Sequence, residues 1–215
     1  MAINHSMKKI LKALSFDGIE VEAARHLASL KAIDPMKIFH KTIDYKIYNG
    51  DYEVPVRIYL PREKVTEDLP VFLFFHGGGW VTDCIDNYER ICARLASATE
   101  HIVVSVEYRL APEHPFPTGF MDCYAVAKAI YTNRFILNVN PQRITLIGDS
   151  AGGNLAAAVS LKARDDGIFK PQRQILIYPA VNNDYSDTSR FQSVKDCGSD
   201  YLLTAGKMCD YIDFY

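Results

Sequence analysis

Residues 144 to 158 read ITLIGDSAGGNLAAA, an apolar run that meets a G-x-S-x-G motif and continues into an alanine-rich segment. Ile144 to Ile147 fit a short strand buried on both faces, and the residues after Ser150 favour a helix. Glycines on both sides of Ser150 let the chain make a sharp strand-to-helix turn, which lifts the serine hydroxyl out of the sheet beside the positive end of the helix. Ser150 is therefore the candidate nucleophile. A serine that merely caps a helix in a glycine-rich turn gives the same letters, so context has to separate the two readings.

That context lies upstream. Residues 71 to 80 read VFLFFHGGGW and follow the turn-like Glu67-Asp68-Leu69-Pro70. The first five fit another buried strand, and the glycines after it reach dihedral angles closed to other residues, so their N–H groups can point together at a polarised oxygen. A serine that attacks an acyl carbon needs such donors where negative charge develops. The amide after the nucleophile, here Ala151, supplies one, and an HGGG-type loop after an earlier strand supplies another. Gly78 and Gly79 are the candidate donors, with Gly77 shaping the loop. His76 and Asp149, each at a strand end, are candidate supports; His76 suits a hydrogen bond that braces the loop better than the work of a general base. Trp80 is expected to pack beneath the N-terminal helices.

Around these motifs the chain alternates. Strands at about 71–75, 102–106, 144–147 and 175–178 are separated by helical stretches at about 86–99, 119–132 and 151–165, a βαβ series that implies a mostly parallel sheet with helices on both faces. Ahead of it, Asp44–Asn49 and Val54–Leu60 flank Asn49-Gly50-Asp51, a hairpin signal. Leu11, Leu14, Ile19, Ala23, Ala24, Leu27 and Leu30 recur at helical spacing with a break at Asp17-Gly18, which predicts two short amphipathic helices placed like a lid. The expected division is an N-terminal helical cap over 1–40 and an α/β core over 41–215. After Thr204, a candidate helix cap, Met208, Tyr211, Ile212 and Tyr215 fall on one helical stripe.

The 215 residues suit one sizeable domain. A net charge of -2, with 23% charged and 48% hydrophobic residues, excludes the basic footprint of a nucleic-acid binder and a polybasic membrane patch. No apolar run is long enough to span a membrane, and charges interrupt the N-terminal segment before it becomes a signal peptide. Cys84, Cys92, Cys123, Cys197 and Cys209 form an odd set without metal-finger spacing, which points to reduced, buried thiols in a cytoplasmic protein. No metal site is expected, and the expected partner is a small molecule.

With HGGGW, YRLAPEHPFP and GDSAGGNLAAA in this order, the chain resembles the hormone-sensitive-lipase-like esterases, the bacterial family IV branch of the α/β-hydrolases. The likeness covers roughly residues 40 to 215, and Tyr108 to Pro117 match the family almost letter for letter, with Glu107 where Asp is more usual. It implies an α/β-hydrolase fold, hydrolysis of carboxylic esters with short acyl chains, no cofactor and a Ser–Asp–His triad. Arg109, Glu113 and His114 are expected to lock their loop. Dimers of such enzymes pair through the last strand of the sheet, so a homo-oligomer stays open. In this fold the triad acid and base follow the nucleophile in sequence, yet no histidine follows Ser150. Asp184, Asp187, Asp196, Asp200, Asp210 and Asp213 follow it, none in the family's DPL-type setting. The expectation is that the last strands, with the acid and the base, lie in a C-terminal segment of the same protein not included in this sequence, that the strand at 175–178 is an apolar edge, and that the chain alone is inactive. Two alternatives remain: an amide or aryl-amide hydrolase of the same superfamily, and a non-catalytic ligand-binding homologue.

Overall fold

The computed structural model of the chain describes residues 20–30, 42–62, 68–199 and 201–215. Within them six strands form one sheet: β1 (Thr42–Asn49), β2 (Tyr52–Tyr59), β3 (Val71–Phe75), β4 (Ile102–Val106), β5 (Ile144–Asp149) and β6 (Arg173–Ile177), in the order β1-β2-β4-β3-β5-β6. Asn49-Gly50-Asp51 closes the antiparallel β1–β2 hairpin, and Gly50, at φ 61, takes the left-handed conformation that such a turn requires. β2 joins β4 antiparallel; β3 pairs in parallel with both β4 and β5, and β5 with β6.

Side chains alternate across this sheet and both faces are covered. Val71, Leu73 and Phe75 of β3 enter one core cluster with residues of α3 (Thr118–Tyr131) and α4 (Ala151–Asp166). Phe72 and Phe74 enter a second with Cys92, Ala93 and Ala96 of α2 (Ile85–Thr99). The alternation turns a continuous apolar run into two packed layers, which is why all five residues of β3 and all five of β4 are buried. Because β3 sits between β4 and β5, the loops after β3 and β5 open side by side at the carboxyl edge of the sheet, where open α/β folds place their sites.

Of the two N-terminal helices expected, α1 (Val21–Leu30) is observed, whereas Leu11 and Leu14 lie outside the described residues, as does Asp200. The helix expected after Thr204 is α6 (Ala205–Phe214), and the Thr204 hydroxyl accepts its Lys207 N–H at 3.2 Å. A short helix, α5 (Gln192–Cys197), was not foreseen, since its letters QSVKDC carry no apolar stripe. The last strand ends at Ile177 rather than 178: Tyr178 turns to φ 33 as the chain leaves the sheet. One expectation needs correction. Cys197 and Cys209 are exposed rather than buried: α5 buries no residue, and on α6 Cys209 lies off the stripe of Met208, Ile212 and Tyr215 that faces inward. Trp80 is buried, with its indole stacked on the Tyr215 ring at 4.5 Å. Among the described residues, no helix is long and apolar enough to cross a membrane, and no cluster of His, Cys, Asp and Glu could hold a metal ion.

Candidate active site

Ser150 stands at the junction of β5 and α4 with φ 53 and ψ -118, a conformation that a side-chain-bearing residue adopts only under strain. Its backbone is held on both sides: its N–H donates to Ile177 O at 2.9 Å, and its carbonyl accepts from Asn154 N and Ala180 N, each at 3.1 Å. The side chain makes no capping bond to the helix it precedes. The N-cap alternative therefore fails on its own terms, since the hydroxyl is not spent on the helix and instead borders a cleft of about 200 Å3 lined by Ser150, Tyr178, Tyr185, Cys197, Leu203 and Met208.

The motif glycines are explained by close approach. A Cβ on Gly152 would collide with the carbonyl oxygens of Phe75 and His76, and one on Gly148 would collide with Gly152 O and Phe75 O. Only bare backbone lets the elbow press against the end of β3.

The HGGG loop is tied to that elbow through Asp149. The Gly77 N–H donates to Asp149 Oδ1 at 3.0 Å and to the Tyr88 hydroxyl at 3.2 Å, and that hydroxyl donates to Asp149 Oδ2 at 2.8 Å. Burial raises the Asp149 pKa above the usual carboxylate value, while the bonds from Tyr88 and Gly77 pull it back. Beyond Gly77 the chain folds into a tight turn: Gly78 O accepts from Val81 N at 3.1 Å, Thr82 N at 2.9 Å and Thr82 Oγ1 at 3.0 Å. Gly78 and Gly79 both take positive φ, 107 and 60, and Trp80 follows at φ 60. With the Gly78 carbonyl committed to the turn, the N–H groups of Gly78 and Gly79 have no hydrogen-bond partner among the described residues. The Tyr211 ring covers Gly79 so closely that a Cβ there would overlap it.

His76 is fully buried, stacked on Tyr108 at 4.3 Å, with Nδ1 2.8 Å from Gly77 O; Tyr108 in turn donates to His76 O at 2.8 Å. Desolvation pushes its pKa down to about 4, against the opposing pull of the Gly77 carbonyl and the Asp83 charge. The imidazole is thus a neutral brace inside the loop.

Of the three residues expected to lock the YRLAPE loop, Arg109 and Glu113 do so through their side chains. Arg109 forms a forked pair with the buried Asp122, Nε to Oδ2 at 2.8 Å and Nη2 to Oδ1 at 2.7 Å, while Asn49 Nδ2 donates to the same carboxylate at 2.7 Å. Glu113 pairs with Arg25 of α1 at 2.7 Å. His114 bonds to Leu110 O at 2.9 Å through its backbone N–H, and its side chain is exposed. Glu107, raised in pKa by burial, accepts the Ile85 N–H at 2.6 Å and so caps α2. Sequence reasoning missed Tyr88, Asp122 and Arg25. Tyr88 and Asp122 lie inside helices where only their distant partners distinguish them; Arg25 shares the packed face of α1 with Ala24 and Ala28, whereas Leu27 of the expected stripe is exposed.

A family model described as the alpha/beta hydrolase fold matches residues 72–215. The chain is 40% identical over 174 residues to carboxylesterase NlhH of Mycobacterium tuberculosis, a match covering 79% of this chain and 53% of that protein. It is 34% identical over 190 residues to arylacetamide deacetylase of Oryctolagus cuniculus, covering 83% of this chain and 47% of the relative. Among solved structures, the hyperthermophilic esterase of the archaeon Pyrobaculum calidifontis superimposes with a TM-score of 0.84 at 34% identity, over 100% of this chain and 71% of that one. The chain thus spans about half the length of these curated relatives.

Proposed function

The chain belongs to the α/β-hydrolase fold family, in its hormone-sensitive-lipase-like branch, and from that premise we propose that it is the nucleophile-bearing part of a carboxylic ester hydrolase. The observation that carries the reading is Ser150, strained, uncapped and bordering a cleft, on an elbow that Asp149 ties to a turn whose two amides are unspent.

In this reading Ser150 Oγ attacks the acyl carbon and its proton passes to a general base. The carbonyl electron pair moves onto oxygen, where the N–H groups of Gly78, Gly79 and Ala151 hold the developing charge; one such donor is typically worth about 3 kcal/mol of barrier. Collapse of the intermediate expels the alcohol and leaves Ser150 acylated, and water then attacks the acyl-enzyme to release the acid. Asp149, Gly77 and His76 hold the donors in register. All six histidines precede Ser150 in sequence, and the one at the site is buried and neutral. The acid and base are therefore assigned to polypeptide following Tyr215, consistent with the greater length of the curated relatives. The cleft, smaller than the roughly 300 Å3 typical of ligand pockets, supports short acyl groups. No cofactor enters the scheme.

The test is p-nitrophenyl butyrate turnover and fluorophosphonate labelling of the full-length gene product beside residues 1–215 alone. The full-length protein should turn over and label at Ser150, Ser150→Ala should lose about a millionfold in turnover, and the short chain should be nearly blank. Turnover that survives Ser150→Ala would overturn the assignment. A second reading, aryl-amide hydrolysis, is favoured by the likeness to arylacetamide deacetylase; faster turnover of an acetanilide than of the matched ester would select it. A full-length protein that binds esters without cleaving or labelling would select the ligand-binding reading.

A further inference from the structure

Arg25 of α1 spends its entire fork on two loops at the carboxyl edge of the sheet. Its Nε donates to Val81 O at 2.9 Å and its Nη2 to Ala111 O at 2.9 Å, while Nη1 and Nη2 grip the two oxygens of Glu113, each at 2.7 Å. Val81 and Ala111 are both buried, 0% and 1% exposed, so carbonyls there need a donor from the protein. These are also the residues that shape the turn after β3. Val81 N closes the turn onto Gly78 O at 3.1 Å, and Ala111 N reaches Trp80 O at 2.9 Å. Glu22 and His114 are the other charged or titratable groups felt by this pair.

The ion pair is only half of the contact and the weaker half. Arg25 and Glu113 are 31% and 56% exposed, a setting in which an ion pair contributes little. The carbonyl bonds are different in kind: they need a planar fork that reaches both carbonyls at once, which a lysine ammonium on a flexible stem does not provide.

We propose that Arg25 is a positioning residue for the turn at Gly78–Val81: it makes the docking of α1 and the geometry of the oxyanion donors a single equilibrium, so that α1 cannot leave without loosening the turn. The proposal rests on the reading of Gly78 and Gly79 as oxyanion donors. Arg25 touches no reacting atom and acts through Val81 and Ala111.

Hydrogen–deuterium exchange of the full-length protein, followed on peptides covering 21–30, 76–83 and 144–149, tests the coupling without requiring turnover. Arg25→Ala should speed exchange in 76–83 by about tenfold or more, with β5 unchanged as the control for global stability. Arg25→Lys should resemble Arg25→Ala, and Glu113→Gln, which leaves both carbonyl bonds in place, should stay within about threefold of the parent. Butyrate-ester kinetics supply the second readout: kcat should fall about tenfold in both Arg25 variants at unchanged KM. Exchange that rises in 21–30 alone, full rescue by Arg25→Lys, or a looser turn with unchanged kcat would each overturn the proposal. If the parent protein shows no turnover, the hydrolase reading fails by itself, and the exchange pattern still decides whether α1 and the turn move together.

Discussion

β5 and β6 are adjacent parallel strands with similar letters, ITLIGD and RQILI, and they have opposite surroundings. Every residue of β5 is buried, whereas in β6 all but the half-buried Leu176 are exposed, Ile175 and Ile177 at 41% and 36%. β5 has a strand on each side and a helix layer on each face; among the described residues, β6 pairs on one side only. An apolar strand is therefore not buried by its own composition. Neighbours bury it, and they come from far along the chain. The site lies on this boundary: Ser150 hangs from the end of covered β5, and its N–H is held by Ile177 of uncovered β6.

Substitutions on the two strands should separate the regions. Leu146→Ala in β5, at a position with 0% exposure, should cost about 3 to 5 kcal/mol in urea unfolding, through lost burial and the cavity left behind.

Acid should act next most strongly, and on the covered side. The His76 imidazole is held neutral down to about pH 4 in the fold but titrates near 6.5 once unfolded. Its contribution is complete above pH 6.5 and is lost as pH falls through the folded value, where the difference amounts to about 3 kcal/mol. Unfolding free energy measured from pH 7 to 4 should fall accordingly, and the slope should flatten in His76→Asn. A pH-independent free energy over this window would mean that the imidazole is wetter than its enclosed position indicates.

The smallest effect is expected on β6. Ile175→Ala should change the stability of the 215-residue chain by less than about 1 kcal/mol, as for an exposed site. A cost in the same chain equal to that of Leu146→Ala would erase the contrast between the strands and show that this face of β6 is covered in solution.

The covered half of the molecule was also the half most legible in the sequence. VFLFF and IVVSV announce strands because a parallel strand buried on both faces has no polar side to show, and Asn49-Gly50-Asp51 announces the hairpin because few residues tolerate its turn. Ser150 and the glycines around it were legible for a similar reason: a strained elbow that approaches β3 so closely admits few sequences. What was not legible depends on distance along the chain. Tyr88 meets Asp149 across 61 residues and Arg25 meets Val81 across 56, and no local pattern encodes such partners. Trp80 was read as packing, which it does, but its partner Tyr215 could not be named, since stacking two rings leaves no mark in either neighbourhood. β6 is the apolar edge that its letters led one to expect, with Ile175 and Ile177 exposed and, among the described residues, a partner strand on one side only.

The central claim, that Ser150 and the turn at Gly78–Gly79 form one reacting centre, is tested most directly by the crystal structure of the full-length protein after reaction with an alkyl fluorophosphonate. The phosphorus should be bonded to Ser150 Oγ, with one phosphoryl oxygen about 3 Å from the amide nitrogens of Gly78, Gly79 and Ala151. An adduct on another residue, or one on Ser150 whose phosphoryl oxygen points away from all three amides, would contradict the account.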